Sequence, residues 1–433
     1  MGAEGENPKK VLVNETDTFK APAWSPSGNR LAYIKPDKNE IGGSIETVLL
    51  DGAVSTSVMT DDRLGVLEDP RLLWMRDGRL LYEVEEPGVE FGANLWQVFA
   101  DPQTGKPSGP KSRVTNWVGI GAVYPTVTAD SKRLLIIKVH IRRNVYISEL
   151  KENGKRLDSP RPFTVSDSID DPNAWFPDSK TLIFDSNRGG GRWQLYRQPV
   201  GGDTAEPLVQ GPENAQDADL TADGAWILYR ASQASAATSS LTTVKLMRIR
   251  TSGGSPELIA EVPLNPSFNL HCSNRGKSTC LLSRWERGEL VFYSFDPLRG
   301  QGSQVSQTRM EMASDLDWSL SPDGSRIAVK SADQMRGQIR ILDLRDGTER
   351  NVSLPQGWYL WSLSWSADGN ALFAAAQAAT YFFVRIELDG KMQVLLDRGR
   401  NQWLGHPYPS PDGRYVAFCQ QSFDSNAWLL ENF

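Results

Sequence analysis

The sequence is poor in histidine and cysteine, with three of each in 433 residues. His140, His271 and His406 are scattered, and none stands at a zinc-ligand spacing from a cysteine or another histidine. No metal or other cofactor is therefore expected, and chemistry that needs several histidines for metal and base is disfavoured. Three cysteines are too few for a disulfide framework. Cys272 and Cys280 flank one turn and read as small packed residues, a cross-strand bond being the lesser alternative; Cys419 has no evident partner. No apolar run approaches the roughly 20 residues that span a bilayer. The opening MGAEGENPKK has no apolar core of a secretory leader. Net charge is −6 and no basic run is longer than Arg142-Arg143, which excludes a nucleic-acid footprint and a polybasic membrane contact. A G-x-x-x-x-G-K-[ST] phosphate loop is absent. So is a G-x-S-x-G elbow; Gly42-Gly43-Ser44 and Gly253-Gly254-Ser255 lack its second glycine. The chain is not expected to be an enzyme.

What the sequence does contain is a repeat. A tight turn ending in Gly or Ser recurs at Gly28, Gly78, Ser131, Ser179, Gly224, Gly276, Gly324, Gly369 and Gly413, at intervals of 44 to 53 residues. An apolar segment precedes each turn, often with Trp four residues before the anchor: Trp24, Trp74, Trp175 and Trp365. Alternating apolar segments follow, such as Ile327-Ala328-Val329 and then Ile339-Arg340-Ile341-Leu342. A weaker fourth segment ends each unit, as in Val394-Leu395-Leu396. No long window has helical periodicity. Four short antiparallel strands at this period describe a blade, so the fold class is all-β, a β-propeller of four-stranded antiparallel blades.

Nine turns predict nine blades in a single domain over 1–433; eight is the alternative if the divergent copy at 271–276 is an insertion. Residues 1–9 read as disordered or as a non-native start. After Gly413 only three strands remain, so Val11-Leu12-Val13, within 10–15, is expected to close the last blade at its outer edge. Many of the fourteen tryptophans then have a structural use, filling the wedge between neighbouring blades.

The units resemble TolB-type propeller repeats, whose phrase is P-x-W-S-P-D-G followed by S-N-R-x-G. Pro22-Ala23-Trp24-Ser25-Pro26 carries the likeness, as does Pro172-Asn173-Ala174-Trp175-Phe176-Pro177-Asp178-Ser179 leading into Asp185-Ser186-Asn187-Arg188-Gly189. Two groups share such repeats: periplasmic proteins that bind partner proteins, and bacterial signalling proteins in which a propeller follows a Ser/Thr kinase or winged-helix domain. The ending 426–433 looks like the second group. The resemblance implies a non-catalytic, monomeric, extracytoplasmic sensor that binds a protein, a peptide or a small ligand.

In a ring, the connections into the inner strands meet at the mouth of a central channel. Several are acidic: Asp69, Asp171, Asp217, Asp219, Asp315 and Asp317. Converging carboxylates suit a cationic ligand. Trp318, Trp358, Tyr359, Trp361 and Tyr408 could add stacking or cation–π contacts, and His406 lies just before an inner strand. The plainer alternative is that each Asp caps its own turn.

Overall fold

The computed structural model describes residues 11–433 apart from 13–17, 39–41, 51–53, 66, 68, 86–92, 118–119, 234–242, 264–268, 276–278, 311–315, 331–337, 401 and 432. The recurring turn is built as its chemistry requires. At 321–326, Ser321 Oγ contacts Asp323 Oδ1 at 2.7 Å and accepts the Arg326 N–H at 2.9 Å, while the Gly324 N–H donates to the Ser321 carbonyl at 2.8 Å. Gly324 takes φ +70°, which glycine reaches without penalty. Ser131 and Ser179 hold the same left-handed conformation, at φ 61° and 57°, without being glycine.

All the named sheets are antiparallel, and among the described residues there are eight, seven four-stranded and one six-stranded; the expected turn at Gly276 lies outside the described residues. The third and ninth copies share the six-stranded sheet. Its central strands are Arg133–Lys151 and Tyr415–Glu431, which lie side by side. This corrects the expected closure. Tyr415–Glu431 has Gln402–Pro409 on one side and Arg133–Lys151 on the other, so no place remains for an N-terminal strand. Val11 and Leu12 lie outside any strand, and the other residues of 10–15 fall outside the described ones. The physical reason is strand length: Arg133–Lys151 runs for 19 residues and can serve two sheets' worth of partners.

The contacts group the chain into two compact units. One comprises Met1–Ile141, Ser235–Leu241 and Asp424–Phe433; the other comprises Arg142–Ala234 and Thr242–Phe423.

The second unit contains six sheets. Sheets A to E span 170–209, 213–263, 270–309, 318–353 and 359–397. Sheet F joins Gln402–Pro409, the 415–423 part of its neighbour, the 142–151 part of Arg133–Lys151, and Arg156–Leu157. Inner strands touch in the order A, B, C, D, E, F, and the inner strand of F also touches that of A. A separate apolar core fills each of the six junctions. Ile183 and Ile227 belong to the core between A and B, Leu228 and Leu282 to B–C, and Phe292 and Trp318 to C–D. Ile341 and Leu363 belong to D–E, Phe373 and Phe418 to E–F, and Val145 and Trp175 to F–A. This unit is a closed ring.

The first unit has three sheets, at 20–61, at 72–113, and at Gly121–Val127 with the start of Arg133–Lys151 and the end of Tyr415–Glu431. Two apolar cores join them, one around Ile34 and Leu80, the other around Leu95 and Leu134.

Candidate functional site

The six inner strands of the ring enclose a cavity of about 120 Å³. Every sheet contributes to its wall, including Trp175, Asp219, His271, Asp317, Ser362 and Tyr408. Several inner strands carry a bulge at a similar depth, between Pro172 and Ala174, Gln216 and Asp219, Leu360 and Ser362, and Gly405 and Tyr408. A bulge turns successive side chains to the same side and frees backbone N–H groups from the ladder.

Those N–H groups explain much of the polar wall, because they donate to the preceding sheet. Asn173 Oδ1 accepts from Ala218 N at 3.0 Å and Asp219 Oδ2 from Cys272 N at 2.9 Å. Asp317 Oδ2 accepts from Leu363 N at 2.9 Å and Ser362 Oγ from His406 N at 2.8 Å. At the closing junction, Trp175 Nε1 donates to the Tyr408 carbonyl at 2.8 Å and Asp412 N to Ser179 Oγ at 3.0 Å. Asp219 and Asp317 thus lace neighbouring sheets together. Asp219 also caps locally, accepting from Leu220 N at 2.7 Å.

At one end of the strands lies a charged cluster. Asp171 pairs with Arg143 at 2.6 Å, and Arg143 also donates to Gln421 at 2.8 Å and lies over the Trp403 ring at 5.1 Å. Asp185 stands directly across the ladder from Asp171. Burial and the Asp171 charge push Asp185 well above the usual carboxylate range. Burial also pushes Asp171 up, but the charges of Arg143 and His406 outweigh it and hold that carboxyl below its ordinary value. The two facing carboxyls are therefore driven in opposite directions, Asp185 up and Asp171 down. Burial, followed by the charges of Asp317, Asp219, Asp185 and Asp171, raises the Tyr408 hydroxyl well above its ordinary value. Acidic groups of three sheets, A, B and D, thus act on one point of the wall. At the opposite, turn end, Arg275 of sheet C reaches the Pro411 carbonyl of sheet F.

Of the residues expected from sequence, Asp219, Asp317, Trp318, His406 and Tyr408 line the cavity, and Asp171 adjoins His406. Asp217 sits at φ 52° and is tied up by Arg230. Trp318 is wholly buried, its Nε1 donating to Ser283 at 2.9 Å; its role is packing. Trp358 packs on Phe382 at 4.8 Å. Tyr359, Trp361 and Trp403 form an edge-to-face series with spacings of 4.9 and 6.0 Å, and His406 follows at 6.1 Å from Trp403. Asp69 belongs to the other unit, exposed and paired with Arg71 at 2.8 Å, so it is no part of this site. Asp315 lies outside the described residues.

Sequence reasoning missed Arg143, Asp185 and Cys419, because they come from second and third strands rather than from the connections into inner strands. It also left the cysteine pair as the lesser alternative; Cys272 and Cys280 are cross-strand partners joined by a disulfide.

No family model and no curated protein matches the sequence. Solved structures do. A TolB-assigned protein of Agrobacterium tumefaciens is similar with a TM-score of 0.50 and 19% identity, over 65% of this chain and 98% of that one. TolB from Acinetobacter baumannii is similar at 0.45 and 14%, over 77% and 80%. A chain of a nidogen/laminin complex is similar at 0.44 and 11%, over 58% and 92%. The first of these establishes the fold, a TolB-like β-propeller. Among the described residues, no helix is long and apolar enough to cross a membrane.

Proposed function

We propose that the chain is a non-catalytic binding module whose six-sheet ring captures a cationic ligand, or a cationic segment of a protein partner, at the charged end of its cavity. The observation that carries this reading is that Asp219 and Asp317 line the cavity with Tyr408, while Asp171 adjoins His406 at its edge. A low-dielectric cavity lined by one sign of charge focuses its field on an entering counter-charge. The aromatic series ending at His406 offers faces for a cationic head. By the TolB resemblance, such a module serves as the sensing part of a bacterial signalling protein. The Cys272–Cys280 bond favours an extracytoplasmic setting.

A second reading, a scaffold without a small ligand, draws on the lacing roles of Asp219 and Asp317. A thermal-shift series with spermine and an oligo-arginine peptide, run in EDTA, separates the two, since a ligand of the native state raises its apparent stability. Binding predicts stabilisation that Asp317→Asn weakens, since the amide removes the charge yet can still accept from Leu363 N. No shift with either probe favours the scaffold.

A further inference from the structure

We propose that Asp171, His406 and Cys419 form a binding site for one divalent transition-metal ion of the zinc class. The inference goes beyond the capture of a cationic partner and does not depend on it. The three side chains come from three strands of sheets A and F: Asp170–Trp175, Gln402–Pro409 and Tyr415–Glu431. Their ligand atoms all lie within 4.8 Å of one another. Imidazole nitrogen, thiolate sulfur and carboxylate oxygen make up the donor set that zinc prefers, and three protein ligands leave a fourth position for water or a bound molecule.

A second observation points to a cation. Asp171 Oδ1 is buried with no N–H or O–H donor, only the weak donor of the Cys419 thiol being in reach of the carboxylate, while Arg143 engages the other oxygen, Oδ2, at 2.6 Å. A buried carboxylate oxygen left with a thiol as its donor is poorly satisfied, and a metal ion held by both groups would satisfy it. Arg143 then acts as the outer partner that orients a ligating carboxylate. Thiolate and carboxylate together balance a divalent charge.

The backbone holds these groups in place. Cys419 is directly opposite Gly405 in the ladder. His406 follows in the bulge at φ 51°, with its N–H fixed to Ser362 Oγ at 2.8 Å. Gly405 cannot be replaced cheaply, because a Cβ there would lie 2.1 Å from the Trp403 ring. The His406 side chain is exposed and lines the cavity, so an ion has a way in. Spacing rules could not find this site, since its ligands are brought together only when sheet F meets sheet A.

The test uses the full chain, stripped with EDTA and dialysed, with Co²⁺ as the probe. One equivalent should produce a near-ultraviolet thiolate-to-cobalt band, and Zn²⁺ should abolish it by displacement. Cys419→Ser should remove the band. His406→Ala, at an exposed side chain, should keep the fold and weaken Zn²⁺ binding by more than about tenfold, the least that loss of even an outer partner costs. No band in the unaltered protein, a band that survives Cys419→Ser, or equal Zn²⁺ affinity in His406→Ala would overturn the proposal. No cationic partner is present in this assay and no metal in the spermine assay, so the two can fail separately.

Discussion

Trp24 and Trp365 occupy the same position in the repeat, yet Trp24 is 59% exposed and Trp365 only 3%. The difference follows from the kind of unit each belongs to. Trp365 has a preceding sheet, and its Nε1 donates to the Ser319 carbonyl of that sheet at 3.0 Å. Trp24 stands in the first sheet of its unit, and among the described residues no sheet of that unit precedes it. Six sheets with six apolar junctions make a ring; three sheets with two junctions make a row. Identical local spelling therefore has unequal energetic weight, decided by whether the neighbour exists.

Substitution at that shared position should give the widest contrast. Trp365→Ala should cost about 3–5 kcal/mol in a urea melt and Trp24→Ala less than about 1; equal costs would erase the distinction between the units. Next comes pH, which should act on the three-sheet unit through Glu83. Its carboxylate accepts Arg71 N at 3.0 Å and Tyr124 N at 2.9 Å, a junction like those of the ring, but burial raises it from 4.5 to about 7. The folded unit keeps this proton after the unfolded chain has released it. Stability is thus fully present below about pH 4.5 and should fall by about 3 kcal/mol as pH rises through 7. Melts of Glu83→Gln should lose that slope; a slope that persists would implicate other groups.

Reducing the Cys272–Cys280 bond, which closes a short loop, should cost the ring about 2–3 kcal/mol and leave the other unit's melt unchanged. A loss in both would tie their stabilities together. The smallest expected effect belongs to the lacing. Ser362→Ala leaves the His406 N–H without its acceptor and should cost about 1–2 kcal/mol, with faster amide exchange at Gly405 and His406 as the readout. Unchanged exchange there would show that the bond carries little.

Local chemistry was largely legible. The Ser-Pro-Asp-Gly turns, the alternation of Ile327-Ala328-Val329 and the tryptophan before several turns specify four-stranded sheets, because each depends on residues close in sequence. Closure was not legible. The third and ninth copies are spelled like the others, and nothing in them says that Arg133–Lys151 and Tyr415–Glu431 will pair. The acidic connections were found, and Asp171, Asp219 and Asp317 do meet in one ring. Their lacing role was hidden, since the acceptors of one sheet serve donors about 45 residues away. Asp185 and Cys419 read as ordinary strand residues until the ladder sets them against Asp171 and Gly405.

The closed ring is tested most directly by comparing two fragments, 142–423 and 170–423, in cooperative thermal unfolding. The first contains all six sheets; the second lacks the strands of 142–162 that complete sheet F. Closure within 142–423 predicts a sharp, cooperative transition for the longer fragment and none for the shorter. Failure of 142–423 to fold, or equal transitions in both, would contradict it.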